Sequence, residues 1–340
     1  MSRSTFRARI MAIAVLAIGA LAAPAHAAGE TLTLYSRLSY APAVAAAFTH
    51  KTGIDINLRR PPPAGLIARM ISEGNRPRWA LAWFYGAASA ITLDQRGLLA
   101  HNMPLPTDLT SQARSLSSPD GSYVPTGLTL AAVLVAPRAA PFAPPTRWTD
   151  LANPAYRGLV GINDPVTSDQ SVAAIITLLH AGGGWPGGKD FVARLHRAGL
   201  HIYTDTATTL AALRSGAIQL AIVRGSAGYH YADRIDRSLR VIVPQPATLL
   251  PAVIVMAHGL DPSRRAAALS FIAFANSPEG QKIARTEGGD DAAFQPAVTE
   301  ATAQTTSAAP PTDDLDPCHW AARQAAIIAW FNAAIVGPSL

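Results

Sequence analysis

Tyr229 and Tyr231 flank His230 in the stretch VRGSAGYHYADRIDR, with Arg224 ahead of them and Arg234 and Arg237 behind. Two phenol oxygens so placed suit three roles: ligands of a hard metal ion, contacts for another solute, or ordinary surface groups. Backbone geometry decides among them. On a helix, residues two apart diverge by about 200° and cannot face one ion. On an extended or loop segment they share a side.

No catalytic set gathers around this stretch. GGWPGGKD, Gly183 to Asp190, nearly matches a phosphate-cradling loop, but Asp190 stands where a magnesium-binding hydroxyl is needed and a helical pattern precedes it instead of a strand. It reads as a Gly-rich turn. RGSAG sets Ser226 between glycines without the spacing of a nucleophile elbow, and no His and Asp can be placed beside it. No histidine pair at helical spacing accompanies a glutamate, as a zinc protease would require. An exported enzyme is therefore the weaker alternative to a binding protein, as is a ligand-sensing module that presents its surface to a receptor.

Polar residues recur where strands run into helices, at SRLSY (Ser36 to Tyr40), RRPPPAG (Arg59 to Gly65), FYGAAS (Phe84 to Ser89), DPVTSDQS (Asp164 to Ser171), TDTATT (Thr204 to Thr209) and VRGSAGYHY. Helix capping alone explains any one of them. Together they matter more, because ligands of open parallel sheets sit beyond the carboxyl ends of the strands, where helix N-termini present free N–H groups.

The elements behind these ends alternate. TLTLYS has period-2 strand character, APAVAAAFTHKTG is helical and closed by Gly53, IDINLRR is a strand and GLIARMISEG a helix, and WALAWF is a buried strand before helical AASAITLDQRG. Such alternation implies right-handed crossovers and parallel pairing. DGSYVPTGLTLAAVLVAPR is a long extended run with no helix behind it, suited to crossing from one lobe to the next. A second α/β unit follows in LVGIND, SVAAIITLLHAGGG, LHIYTD, TATTLAALRSG and IQLAIV. PAVIVMAHG suits the return crossing, and SRRAAALSFIAFAN and PEGQKIARTEG are helical, the latter with Ser277 as N-cap and Pro278 in its first turn.

The ends and the composition narrow the class. Residues 1–27 read as an export signal: Arg3, Arg7 and Arg9, then the apolar IMAIAVLAIGALAA, then AHA at Ala25–Ala27. The formal net charge of +6 includes those three arginines, and the basic residues are scattered, so nucleic acid is not an expected partner. With 340 residues, 49% hydrophobic, the chain can bury two lobes. Cys318 is the single cysteine, which excludes an intramolecular disulfide; it reads as a partly buried thiol on the last helix. Ala297 to Pro317 is Ala/Thr/Pro-rich and aperiodic, a flexible excursion. WAARQAAIIAWFNAAI then reads as one amphipathic helix.

In this order the pieces resemble the periplasmic solute-binding proteins of ABC importers, in the ferric-iron-binding group. LTLYSRLSYAPAVAAAFTHKTGIDINL is similar to the family's opening strand–helix–strand, and GLIARMISEGNRP and WALAWFYGAASAITLDQRGLL to its next two units. RWTDLANPAYRGLVGINDPVTSDQS, within which DLANPAYRGLVGINDP is the most specific stretch, SPEGQKI and the late Trp-rich helix complete the likeness. The resemblance implies an α/β, two-lobed type II periplasmic-binding-protein fold, each lobe a mixed, mainly parallel sheet flanked by helices, joined by crossing hinge strands. Lobe 1 is expected over 28–130 plus about 250–296 and lobe 2 over 131–249. Residues 297–317 are the flexible segment and 318–340 a helix docked on a lobe, lobe 2 by preference. It implies a monomer in the periplasm that captures a small solute or metal ion between its lobes. The loaded protein would then dock on the permease of an importer driven by its ATPase, meeting the membrane only through that permease, with no cofactor and no catalysis.

The resemblance also implies where ligands bind. Ferric-binding members use adjacent tyrosines from the second lobe, and ferric iron, being hard, favours anionic oxygen. Tyr40 falls where some members have a tyrosine after the first strand, Ser39 where a histidine often sits, Tyr85 near another subgroup's acidic ligand, and Ser168 where certain members have a further tyrosine. Departures are evident: the family's acid near the third strand is Ala80, and counting from IQLAIV places its tyrosine pair near Ser226 and Ala227. The metal candidates, if iron is the ligand, are Tyr40, Tyr85, Tyr229 and Tyr231, with a small anion completing the coordination. For a phosphonate, phosphate ester or other small anion, Ser36, Arg37, Arg60, Thr167, Ser168 and Arg224 supply hydroxyls and guanidinium forks. Both ligand classes stand open at this point.

Overall fold

The first strand shows how the chain builds its sheet. In β1 (Thr31–Ser36), Leu32 and Leu34 are fully buried in one apolar cluster while Tyr35 enters another on the opposite face. A strand covered on both sides needs apolar residues at nearly every position. The computed structural model describes residues 30–61, 65–107, 109, 114–137, 143–165, 169–287, 312–313 and 317–337. The export-signal reading of residues 1–27, and most of the excursion at 297–317, lie outside the described residues, as do Thr167 and Ser168.

After β1 come α1 (Ala41–Thr52), β2 (Asp55–Arg59), α2 (Leu66–Glu73), β3 (Leu81–Tyr85) and α3 (Ala87–Asp94). Gly53 ends α1 in the left-handed conformation, φ 73°, and its N–H donates to the Thr49 carbonyl. β1 pairs in parallel with β2 on one side and β3 on the other.

The long extended runs behave differently. β4 (Tyr123–Val135) and β9 (Ala247–Met256) pair antiparallel, β9 alongside β3 and β4 alongside β7 (Leu220–Arg224). β4 changes partner part-way: Tyr123 to Leu130 face β9, and Ala131 to Val135 face β7. The register shifts between Pro125 and Gly127, at a proline that has no N–H to give a ladder. β4 and β9 thus join two halves of one sheet, ordered β2-β1-β3-β9-β4-β7-β5-β6.

The second half repeats the parallel plan, with β5 (Val160–Asn163) between β6 (His201–Tyr203) and β7. Its helices are α4 (Asp169–Ala181), α5 (Lys189–Arg197), α6 (Thr206–Ser215) and α7 (Gly225–Arg234), and β8 (Arg240–Ile242) pairs with the end of β4. RWTDLANPAYRG forms two short 3-10 turns that bury Trp148 and Tyr156. α8 (Pro262–Ala275) and α9 (Pro278–Thr286) return to the first half, capped by Asp261 and Ser277 as their sequences require. Each half has its own core, built around Phe48, Trp83 and Phe271 in one and Trp148, Ile175 and Phe191 in the other.

Some expectations need correction. The tail is not one helix but α10 (Pro317–Ala321), α11 (Gln324–Phe331) and a π-helical turn over Asn332–Val336. Trp320, Ile327, Phe331 and Ile335 enter the core of the second half. Gln324 also donates to Ser89 Oγ of α3 at 3.1 Å, so the tail touches both halves. Cys318 is exposed. A two-residue strand, β10 (Thr312–Asp313), pairs with the start of β9. α5 and β8 were not legible as elements; α5 follows directly on the Gly-rich turn. Among the described residues, no helix is long and apolar enough to cross a membrane.

Candidate functional site

The ends of β1 and β3 in the first half face the starts of α6 and α7 in the second. Arg224, the N-cap of α7 at the end of β7, places its guanidinium over the ring of Tyr85, the last residue of β3, at 4.3 Å. A second cross-gap influence is longer in reach: the charge of Arg37, just past β1, is felt at Asp205, the N-cap of α6, without an ion pair between them. The Asp205 carboxyl lies below its usual range, first because the Thr208 N–H donates to it at 2.8 Å. Burial works in the other direction, and the Arg37 charge adds to the lowering.

The candidates after β1 are held locally. Ser36 is buried, donates to the Trp83 carbonyl at 2.8 Å and accepts from the Leu38 N–H. Arg37 donates to the Pro61 carbonyl at 2.6 Å, and Arg60 returns a bond to the Arg37 carbonyl at 3.2 Å. Ser39 is exposed. Tyr40 is only 2% exposed, its ring packed edge-on against Trp83 at 5.2 Å, so its body belongs to the core of the first half. Tyr85 is equally buried.

The tyrosine pair lies on α7, not on a loop. Two residues apart on a helix, the rings part: Tyr231 packs against the apolar cluster of Leu134, Leu213 and Val223, while Tyr229 is 45% exposed. They do not form a chelate. Burial pushes the Tyr229 phenol up, which further disfavours the phenolate at neutral pH.

Further polar groups complete the gap. Ser226, in the first turn of α7, donates its N–H to Thr129 Oγ1 of β4 at 2.9 Å, while among the described residues its own buried hydroxyl has no hydrogen-bond partner. Asn163, at the end of β5, donates to Thr206 Oγ1 at 2.8 Å and accepts from the Thr209 hydroxyl, fixing the start of α6. A polar residue ending a strand was the available signal for Asn163; nothing in the sequence marks Thr129. Also between the halves is a cavity of about 310 Å³. The start of α3 at Gly86 to Ala88, Ile176 of α4, Leu249 and Leu250 of β9, and Trp320 line it, a mostly apolar wall.

A family model of bacterial extracellular solute-binding proteins matches residues 43–312. The chain belongs to that family. This bacterial extracellular solute-binding protein is thus of the class that captures ligands for ABC importers outside the cytoplasmic membrane. Iron-bound HitA from Pseudomonas aeruginosa superposes with a TM-score of 0.71 at 20% identity, covering 88% of this chain and 98% of that one. AfuA from Actinobacillus pleuropneumoniae, with fructose-6-phosphate bound, gives 0.74 at 18% identity over 91% and 99%. A periplasmic thiamin-binding protein gives 0.73 at 17% over 90% and 96%. These likenesses establish the type II periplasmic-binding-protein fold for the solute-binding protein. A comparison with curated protein sequences finds no match.

Proposed function

We propose that this solute-binding protein captures a small organic anion, such as a phosphate ester, between its halves and delivers it to the permease of an ABC importer. The observation that carries this reading is the Arg224 guanidinium over Tyr85. A fixed positive charge beside the phenol repels a ferric ion and attracts an anion. Arg37 adds a second cation at the gap, and the start of α7, which no side chain caps, adds backbone N–H groups. The apolar cavity nearby suits the uncharged part of an organic solute. Closure is a population shift, driven by contacts the solute makes only when both halves reach it.

Ferric iron is the rival ligand, held by Tyr40 and Tyr85 with Tyr229 or Tyr231. Two of those rings are buried at 2% exposure and the other two diverge on α7, which favours the anion. The test is a pair of titrations of the ligand-free protein. A sugar phosphate is expected to raise the melting temperature by several degrees at saturation, and ferric salt to give no visible phenolate-to-iron band. A coloured ferric complex with no stabilisation by any anion overturns the proposal.

A further inference from the structure

On the α2 side of the first half, β2 is an edge strand, and a basin of about 610 Å³ opens beside it. The parallel register sets Thr33 beside Asn57 and Tyr35 beside Arg59, and these four residues line the basin together. Arg60 and Arg69 join from the end of β2 and from α2, and Arg78 from the turn before β3. Four arginines therefore line one hollow. Gathering like charges costs energy unless something answers them.

The structure supplies one answer and leaves the rest open. Glu73 accepts from Arg69 Nε at 3.0 Å, from the Tyr35 hydroxyl at 2.9 Å and from the Arg78 backbone N–H at 2.9 Å, so its carboxylate is fully engaged. Arg60 spends one nitrogen on the Arg37 carbonyl. Among the described residues, the side chains of Arg59 and Arg78 have neither an acid nor a hydrogen-bond acceptor. Asn57 and Thr33 add neutral donors to the wall.

We propose that this basin is a second anion-binding site, separate from the gap between the halves, for a small solute carrying two or more phosphate or carboxylate groups. The concave shape and its volume match a small molecule better than the broad face of an acidic protein. The spread of the guanidinium groups around the hollow asks for more than one anionic group, since each fork can grip one. The site does not depend on which solute the interlobe gap takes.

The test uses inorganic pyrophosphate as probe, with calorimetry on the full exported chain at low ionic strength. The wild-type protein should bind it, and Arg59→Ala/Arg78→Ala should weaken that binding at least ~10-fold. Arg157→Ala, at an exposed arginine of the second half outside both the basin and the gap, should leave it in place. Both basin arginines are exposed, so the double variant should keep its circular dichroism spectrum. As a check needing no variant, raising salt to ~0.5 M should weaken wild-type binding, because screening shortens the reach of several charges acting together. No binding by the wild-type protein, salt-insensitive binding, undiminished binding by the double variant, or loss in Arg157→Ala would each overturn the proposal.

Discussion

Arg224 stacks on Tyr85 at 4.3 Å, and this contact ties the end of β7 in one half to the end of β3 in the other. A contact of this type contributes roughly 0.5–2 kcal/mol. If it forms as the halves close, Arg224→Ala should weaken solute binding about 2- to 30-fold and shift the solution scattering toward a more open form. Tyr85→Phe keeps the ring and should bind an anion nearly as well as wild type, whereas Tyr85→Ala should not. A requirement for the hydroxyl would point back to a metal ligand.

Two groups give stability opposite pH dependences. The Asp205 carboxyl is depressed, chiefly by the Thr208 N–H, so its contribution is present above the ordinary carboxylate value near ~4 and is lost as pH falls through the lower folded value. His101, beside Asp94 at 2.6 Å with Asp120 farther off and Arg265 on its carbonyl, is raised, first by the bond to Asp94. Its contribution is complete below about 6.5 and is lost as pH rises through the higher folded value. Urea melts should show the cost of Asp205→Ala shrinking toward acid, and that of His101→Asn shrinking toward alkaline pH.

Thr126 of β4 accepts the Trp83 indole N–H at 2.8 Å, both residues being buried. Thr126→Val keeps the shape and leaves the indole unsatisfied, a cost of about 1–3 kcal/mol. Chemical denaturation should show the loss, with little change in circular dichroism. A neutral result would mean that the indole finds another acceptor.

Phe331 of α11 is fully buried in the core of the second half. Phe331→Ala should cost roughly 3–5 kcal/mol, read as an earlier transition in calorimetry. A wild-type melting curve for Phe331→Ala would show that the tail does not contribute to that core.

Patterns confined to one element were legible. The alternation of TLTLYS, the glycine closing α1 and the Ser277–Pro278 start of α9 are local, and each fixes its element without help from elsewhere. The crossing role of β4 followed from an extended run with no helix behind it. The site was less legible because its contacts join distant parts of the chain: Arg224 with Tyr85, Ser226 with Thr129, Asn163 with Thr206 and Thr209. In the tyrosine pair, sequence gave the two possible geometries, and only the start of α7 at Gly225 chose between them. The break in the tail was hidden because its apolar pattern runs on through Ala321 and Ala322 into α11. The arginine basin was hidden for a related reason: residues that look scattered in the chain converge only when β2 and α2 meet.

The tail's grip is unequal. Toward the second half it is a set of large side chains sunk among aliphatic neighbours; toward α3 it includes the amide-to-hydroxyl bond of Gln324 with Ser89. Water could replace that polar link at little cost, but α10 also packs along α3, where Ala88 adjoins the same core as Trp320. The carboxyl-terminal segment is therefore a strap laid across both halves, and any movement of α3 against the second half must strain it.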